Sequence, residues 1–421
     1  MRMNKLLRLL IYLASFGLAR GALFISPILL SNLLPAPTYG AIEWSHAAGS
    51  FSASILSFGT AAALPLVRLK QTHEGSLSGI LMHHLLIIIC CVIASFVFFF
   101  VFNSTEFSIA ALIAPVVSLQ NLWSVTLKTQ GRGEASLALD AGLFALLAIA
   151  AIILYATHVT KTHLWLMFTI LVYLFGLSFF TLFHFLERRR SGERLAYVAI
   201  LKLGWPLMIS ALVTIAVTTS GRLVIGILGG PLLTADYSTL ARVAALPIVA
   251  HQVILVAKFR DIYTLADKDV EKIVSVVLGT IVAAIILFWL LNAKFNWMLG
   301  PAFAKGFSAS ALAATLILIQ SVLWSAISLN DLICTRKQKI LQVLPWSTLS
   351  LLTAVTIGIF VVRAYGISLI HFVLAHCVIM IVFYFGQVMG MYIAGIRLWR
   401  AWLLTLVSFV MLSLSACLIY R

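Results

Sequence analysis

Residues Phe107 to Arg132 read FSIAALIAPVVSLQNLWSVTLKTQGR. From Phe107 to Leu127 the run carries no charge, and Lys128-Thr-Gln-Gly-Arg132 then closes it with two bases. About 20 apolar residues suffice to cross a bilayer, and Lys and Arg collect on the cytoplasmic side. The stretch therefore reads as a transmembrane helix whose C-terminal end faces the cytoplasm. A second stretch echoes it: Gln120-Asn-Leu-Trp-Ser124 precedes Lys128 and Arg132 as Gln320-Ser-Val-Leu-Trp-Ser325 precedes Arg336-Lys-Gln-Lys339.

The same reading extends over the whole chain of 421 residues, of which 62% are hydrophobic and 10% charged. An ordinary soluble domain is about a quarter charged, so a water-soluble globular protein is excluded. Thirteen apolar segments follow, at 7–30, 41–67, 79–102, 107–127, 137–157, 163–186, 203–228, 236–259, 272–292, 308–329, 343–362, 368–394 and 401–420. The basic start Met1-Arg-Met-Asn-Lys is followed by a run too long for a signal peptide, with Arg20 where a cleavage site needs small residues. We read it as a retained first span.

With the N-terminus in the cytoplasm, 21 of the 29 basic residues fall in cytoplasmic segments and five (Lys161, Lys294, Lys305, Arg363, Arg421) on the opposite side. Arg20, Arg222 and Arg242 lie inside spans. The net charge of +16 is thus mostly orientation and contact with anionic lipid, and no nucleic-acid partner is expected. The polar stretch after the sixth span splits the chain. The expected architecture is an all-α polytopic membrane protein: an N-lobe over 1–190, a cytoplasmic linker over 191–202, a C-lobe over 203–396 and an additional C-terminal helix over 397–421. Each lobe begins on the cytoplasmic side, so the two are parallel repeats.

No chemistry-bearing motif supplies an engine. There is no Gly-x-x-x-x-Gly-Lys-Ser/Thr phosphate loop and no His-Glu-x-x-His. The pairs His83-His84 and His371/His376 have no acidic or cysteine partners at metal spacing, and the five cysteines form no ligand or disulfide pattern. Neither an enzyme, a cofactor nor a metal is expected.

The informative residues are charges inside spans, since an Arg at mid-bilayer costs about 2.5–3.5 kcal/mol and faces a cavity or a partner. At about 1.5 Å per residue, Arg20 lies roughly 20 Å from the cytoplasmic edge, and Arg222 and Arg242 share a depth of roughly 25–29 Å. Ser210, Thr214, Thr218 and Arg222 form a stripe at fourfold spacing, and Glu43, His46, Ser50, Ser54 and Ser57 form another. Such stripes face a neighbouring helix or a hydrated cavity. One reading has Arg222 and Arg242 snorkelling to the outer interface while Arg20 pairs with Glu43. The other has a cationic cavity that holds an anion, with phosphate the best match to a guanidinium fork. Trp44, with Trp205, Trp297, Trp399 and Trp402, falls at a predicted interface, as belt residues do.

Several stretches resemble polysaccharide-transporter (O-antigen/oligosaccharide) flippases of the multidrug/oligosaccharidyl-lipid/polysaccharide exporter superfamily. They are Pro27-Ile-Leu-Leu-Ser-Asn-Leu-Leu-Pro-Ala-Pro-Thr-Tyr-Gly40 and on to Gly59, Lys128-Thr-Gln-Gly-Arg132, Gly204-Trp-Pro206, Gly221-Arg-Leu-Val-Ile225 and Ala235-Asp-Tyr-Ser-Thr-Leu-Ala-Arg242. The resemblance runs over residues 1–395 in order. It implies two six-helix lobes in a V about a central cavity, with Arg20, Glu43, His46, Thr218, Arg222 and Arg242 as the substrate-binding residues. It also implies a flippase that carries an undecaprenyl-diphosphate-linked oligosaccharide, such as an O-antigen unit of lipopolysaccharide, across the inner membrane by alternating access. Such a chain would work as a monomer in the bilayer, alongside glycan polymerase machinery. A drug/cation antiporter of the same superfamily is the alternative. Members of the flippase family often carry Asp before the seventh-helix Arg; here that position is Gly221.

Overall fold

The computed structural model describes residues 25–69, 77–157, 162–190, 197–218, 220–245, 262–295 and 300–419, with residues 17 and 21. Most of the predicted first span, Arg20 included, and the second half of the predicted eighth lie outside the described residues. The protein is an all-α polytopic membrane protein. Its helices are α1 (Ala36–Leu56), α2 (Thr60–Leu69), α3 (Leu77–Phe100), α4 (Thr105–Thr129), α5 (Gly133–Thr157), α6 (Thr162–Arg190) and α7 (Tyr197–Thr218), then α8 (Ser220–Ala244), α9 (Asp267–Phe295), α10 (Pro301–Ala309), α11 (Ala311–Lys337), α12 (Ile340–Tyr365), α13 (Leu369–Ile393) and α14 (Trp399–Ile419). Eleven of them are long and apolar enough to cross a membrane among the described residues.

Two elements depart from a simple run of straight spans. The predicted second span is broken into α1 and α2, because Phe58 and Gly59 take positive φ (51° and 68°) between them. At Gly59 the backbone also passes so close to Gly204 that an added Cβ would lie 2.1 Å from the Gly204 carbonyl oxygen. The second departure is α8, which is a hairpin of two arms about Gly230 (φ 74°, ψ −175°) with Pro231 opening the second arm. In a straight helix Gly221 and Tyr237 would stand about 24 Å apart. Instead, the Tyr237 hydroxyl lies 2.2 Å from where a Gly221 Cβ would sit, and Thr234 faces Gly226 in the same way. The bend thus marks the turn between the predicted seventh and eighth spans.

The chain divides into two compact units: residues up to Leu34 with Ser45–Met208, and Pro35–Trp44 with Ile209–Arg421. In the first, α4 packs on α3, α5 and α6, and α5 packs on α6. In the second, α11 packs on α9, α12 and α13, and α12 packs on α13. The pairings correspond one for one. The central helices α4 and α11 are buried over 78% and 83% of their spans, against 50% or less for the other candidate spans. These two helices carry the echoed Gln-Leu-Trp-Ser stretches. A span enclosed on all sides inside a bundle tolerates polar side chains where they find partners.

Gln120 donates to the Leu139 carbonyl on α5 (2.9 Å) and to the Tyr173 hydroxyl on α6 (3.2 Å). Gln320 donates to the Val373 carbonyl on α13 (3.2 Å) and faces His376 Nδ1 through its oxygen (3.2 Å). Both glutamines thus tie the central helix to a corresponding neighbour, α6 or α13, and Gln120 bonds α5 as well. In the first unit α3 also packs on α6, whereas in the second α14 packs on both α9 and α11. The additional C-terminal helix is thus an integral part of the second unit.

Candidate functional site

The site is built where the first turns of α1 meet the α8 hairpin, all within the second unit. Small residues permit the contact. A Cβ on Gly40 would lie 1.9 Å from the Pro231 carbonyl oxygen, and one on Gly226 would lie 2.3 Å from Trp44 Cδ1. Trp44 therefore packs on the hairpin, which the belt reading of its position does not anticipate. Between these two contacts Glu43 is held against both arms.

Arg242, on the second arm, meets Glu43 as a fork: Nε donates to Oε1 at 3.1 Å and Nη2 to Oε2 at 3.1 Å. Arg222, on the first arm, makes one contact, Nη1 to Oε2 at 2.9 Å. The carboxylate is 3% exposed, and the two guanidinium side chains are 18% and 14% exposed. Two half-buried cations thus share one buried anion, so these three side chains carry a formal charge of +1. Tyr39 is buried one turn before Glu43 on α1. A guanidinium carries five N–H donors. Arg222 uses one nitrogen among the described residues, so its Nε and Nη2 edge is uncommitted.

Of the sequence-predicted site residues, Glu43, Arg222 and Arg242 come together. The pairing of Glu43 is with Arg222 and Arg242, and both arginines are half-buried. The shared depth inferred for the two arginines is reflected in their sharing of one carboxylate. His46 stacks on Phe144 in the first unit, ring centroids 5.0 Å apart. Arg20 lies outside the described residues, as does the side chain of Thr218. The two polar stripes are partly packing: Ser54 and Ser57 return their hydroxyls to the carbonyls of Ser50 and Ser54 on the same chain segment. Ser210, at the foot of the seventh-span stripe, donates to Asp331 Oδ1 on α11 at 2.5 Å. Asp331 borders a cavity of about 10 Å³, on the order of one water, also lined by Ser347 and Gln387. Sequence position alone gave Asp331 no partner and no role.

The fold and the buried charges define a polytopic membrane protein whose second unit holds a net cationic cluster inside its helices. No protein-family model and no curated protein sequence matches the chain. Among solved structures the chain is similar to the MATE multidrug transporter DinF-BH in a ligand complex, at 13% identity over 93% of this chain and 95% of that one, with a TM-score of 0.56. It is similar to the lipid II flippase MurJ in an inward closed conformation, at 12% identity over 96% and 91%, with a TM-score of 0.55. A MATE structure in complex with MaL6 follows, at 14% identity over 90% and 94% and a TM-score of 0.51. The fold is therefore that of MATE transporters and of MurJ.

Proposed function

We propose that this chain is a flippase that moves a lipid-linked oligosaccharide, an undecaprenyl-diphosphate-linked unit such as an O-antigen repeat, across the inner membrane by alternating access. The observation that carries the reading is the cluster at Glu43. A chain that handled only cations would gain from buried carboxylates at this place, whereas here two guanidiniums outnumber one carboxylate. The uncommitted edge of Arg222 is a donor pair matched to a phosphate oxygen pair. Glu43 holds the arginines in place when no cargo is bound, and an arriving diphosphate takes over part of that role. The potential adds to this: an inside-negative membrane favours outward movement of an anion by about 2.3 kcal/mol per charge per 100 mV.

In this reading the N-terminus is cytoplasmic, the lobes over 1–190 and 203–396 are the moving bodies, and Arg20, His46 and Thr218 complete the cavity around Glu43, Arg222 and Arg242. The test is complementation of surface-glycan assembly in a strain that lacks its own flippase. Restored glycan supports the reading. A drug/cation antiporter of the same superfamily is the second reading, favoured by Asp331, a carboxylate within the span of α11 whose hydrogen-bond partner is the neutral Ser210. Drug resistance conferred without glycan complementation, and lost on Asp331→Asn, would establish it instead.

A further inference from the structure

A cavity of about 690 Å³ lies in the first unit. It opens where α4 ends, α5 begins and α6 ends. The local chain builds it: α4 stops in a Schellman turn, with Arg132 N donating to the Leu127 carbonyl (2.9 Å) and Gly131 N to that of Lys128 (3.1 Å). Gly131 takes φ 78°, which a side chain would strain. The turn brings Arg132 to the cavity mouth, where Arg188 from α6 also stands. Deeper in, Trp123 forms a wall. Its Nε1 donates to Thr181 Oγ1 at 3.0 Å, and its ring meets Phe180 and His184 at 4.7 and 5.0 Å. The remaining surface is chiefly leucine: Leu127, Leu139 and Leu177.

The charge and shape are those of a lipid headgroup site. Two arginines, Arg132 and Arg188, and no carboxylate are among the described lining residues. Arg188 and Leu177 are eleven residues apart on α6, about 16 Å along its axis, so the cavity runs from the polar interface into the hydrocarbon layer. A basic mouth over an apolar floor suits a phosphate with its chain attached. A free anion would leave the leucine wall unfilled. The charge pattern puts this end of the helices on the cytoplasmic side.

We propose that this cavity binds the phosphate of an inner-leaflet lipid, with Arg132 and Arg188 on the phosphate and the chain along Leu127, Leu139 and Leu177. The site does not depend on the transport reading, and two lipids of the same chemistry could fill it: an anionic glycerophospholipid or a polyprenyl phosphate. Native mass spectrometry of the purified full chain, given phosphatidylglycerol, undecaprenyl phosphate or phosphatidylcholine at equal concentration, tests it. We expect one phosphatidylglycerol or undecaprenyl phosphate retained about tenfold better than phosphatidylcholine. The preferred lipid identifies the source. Arg132→Gln with Arg188→Gln should abolish the preference while leaving the lipid-free melting temperature unchanged. Leu139→Trp, which fills the cavity without altering charge, should abolish retention by itself. No preference for the phosphate-headed lipids in the wild type, or undiminished retention in both variants, would overturn the proposal.

Discussion

Among the described residues, the fully buried polar groups around α4 in the first unit are neutral, and its charged pair, Lys128 with Asp140, is half-buried; in the second unit a fully buried carboxylate, Glu43, is held by two half-buried guanidiniums. His84, fully buried on α3, illustrates the first case. Thr60 Oγ1 donates to the Ser57 carbonyl at 2.7 Å, so it accepts from His84 Nε2 (3.2 Å). Ser118 Oγ then donates to Nδ1 at 2.9 Å. Every proton in that network is placed with a neutral imidazole. Ser95 with Ser108 (2.8 Å) and Ser124 with Ser136 (2.8 Å) close further neutral pairs in the same unit. The second unit uses the same kind of tie at Gln320 and adds Glu43, Arg222, Arg242 and Asp331. Corresponding helix pairings therefore serve as a common scaffold, and the charges in one of them are surplus to scaffolding. That surplus is where we place the cargo.

The comparison can be broken in several places. Arg242→Ala removes the forked partner of the buried Glu43 carboxylate and leaves Arg222 as its guanidinium partner among the described residues. Breaking such a pair costs about 3–5 kcal/mol, so a clear fall in melting temperature in detergent is expected along with loss of activity. Gly40→Val comes next. Its side chain meets the Pro231 carbonyl, α1 is pushed off the hairpin, and about 1–3 kcal/mol of stability goes with it, read in the same melt. His84→Leu strands the Ser118 hydroxyl and should cost about 1–3 kcal/mol while glycan complementation persists, because the first unit's network has no part in binding cargo. The smallest effect tests the repeat itself. Gln120→Leu and Gln320→Leu should each cost about 1 kcal/mol, and unequal losses would mean that the two glutamines are not equivalent.

Much of the architecture was legible in the apolar runs and in the Gln-Leu-Trp-Ser echo, since both glutamines sit on the helix that its unit encloses. The interruption at Phe58 and Gly59 was not, because Ile55-Leu-Ser-Phe-Gly-Thr60 reads as an unbroken apolar run and only the close approach to Gly204 requires the break. Counting helical rise gave Arg222 and Arg242 one level, and the structure brings the two together. Their common partner did not follow from it, as Glu43 is 179 and 199 residues away in sequence and matched Arg20 equally well by position. The usable signal was its place near an outer helix end, level with both arginines. The basic ends of helices, read only as orientation, also clamp: Arg336 donates to Asp267 at 2.8 Å, and Lys337 pairs with the same carboxylate. Asp267 is 62% exposed, so this clamp contributes about 1 kcal/mol or less.

Arg222 and Arg242 divide two tasks: Arg242 anchors Glu43, and Arg222 keeps donors for the cargo. The direct measurement is glycan complementation by Arg222→Ala set beside its melting temperature. The account predicts a melting temperature close to wild type, because Glu43 retains its fork to Arg242, together with complementation reduced at least about tenfold. Full complementation by Arg222→Ala in a stably inserted protein would contradict it.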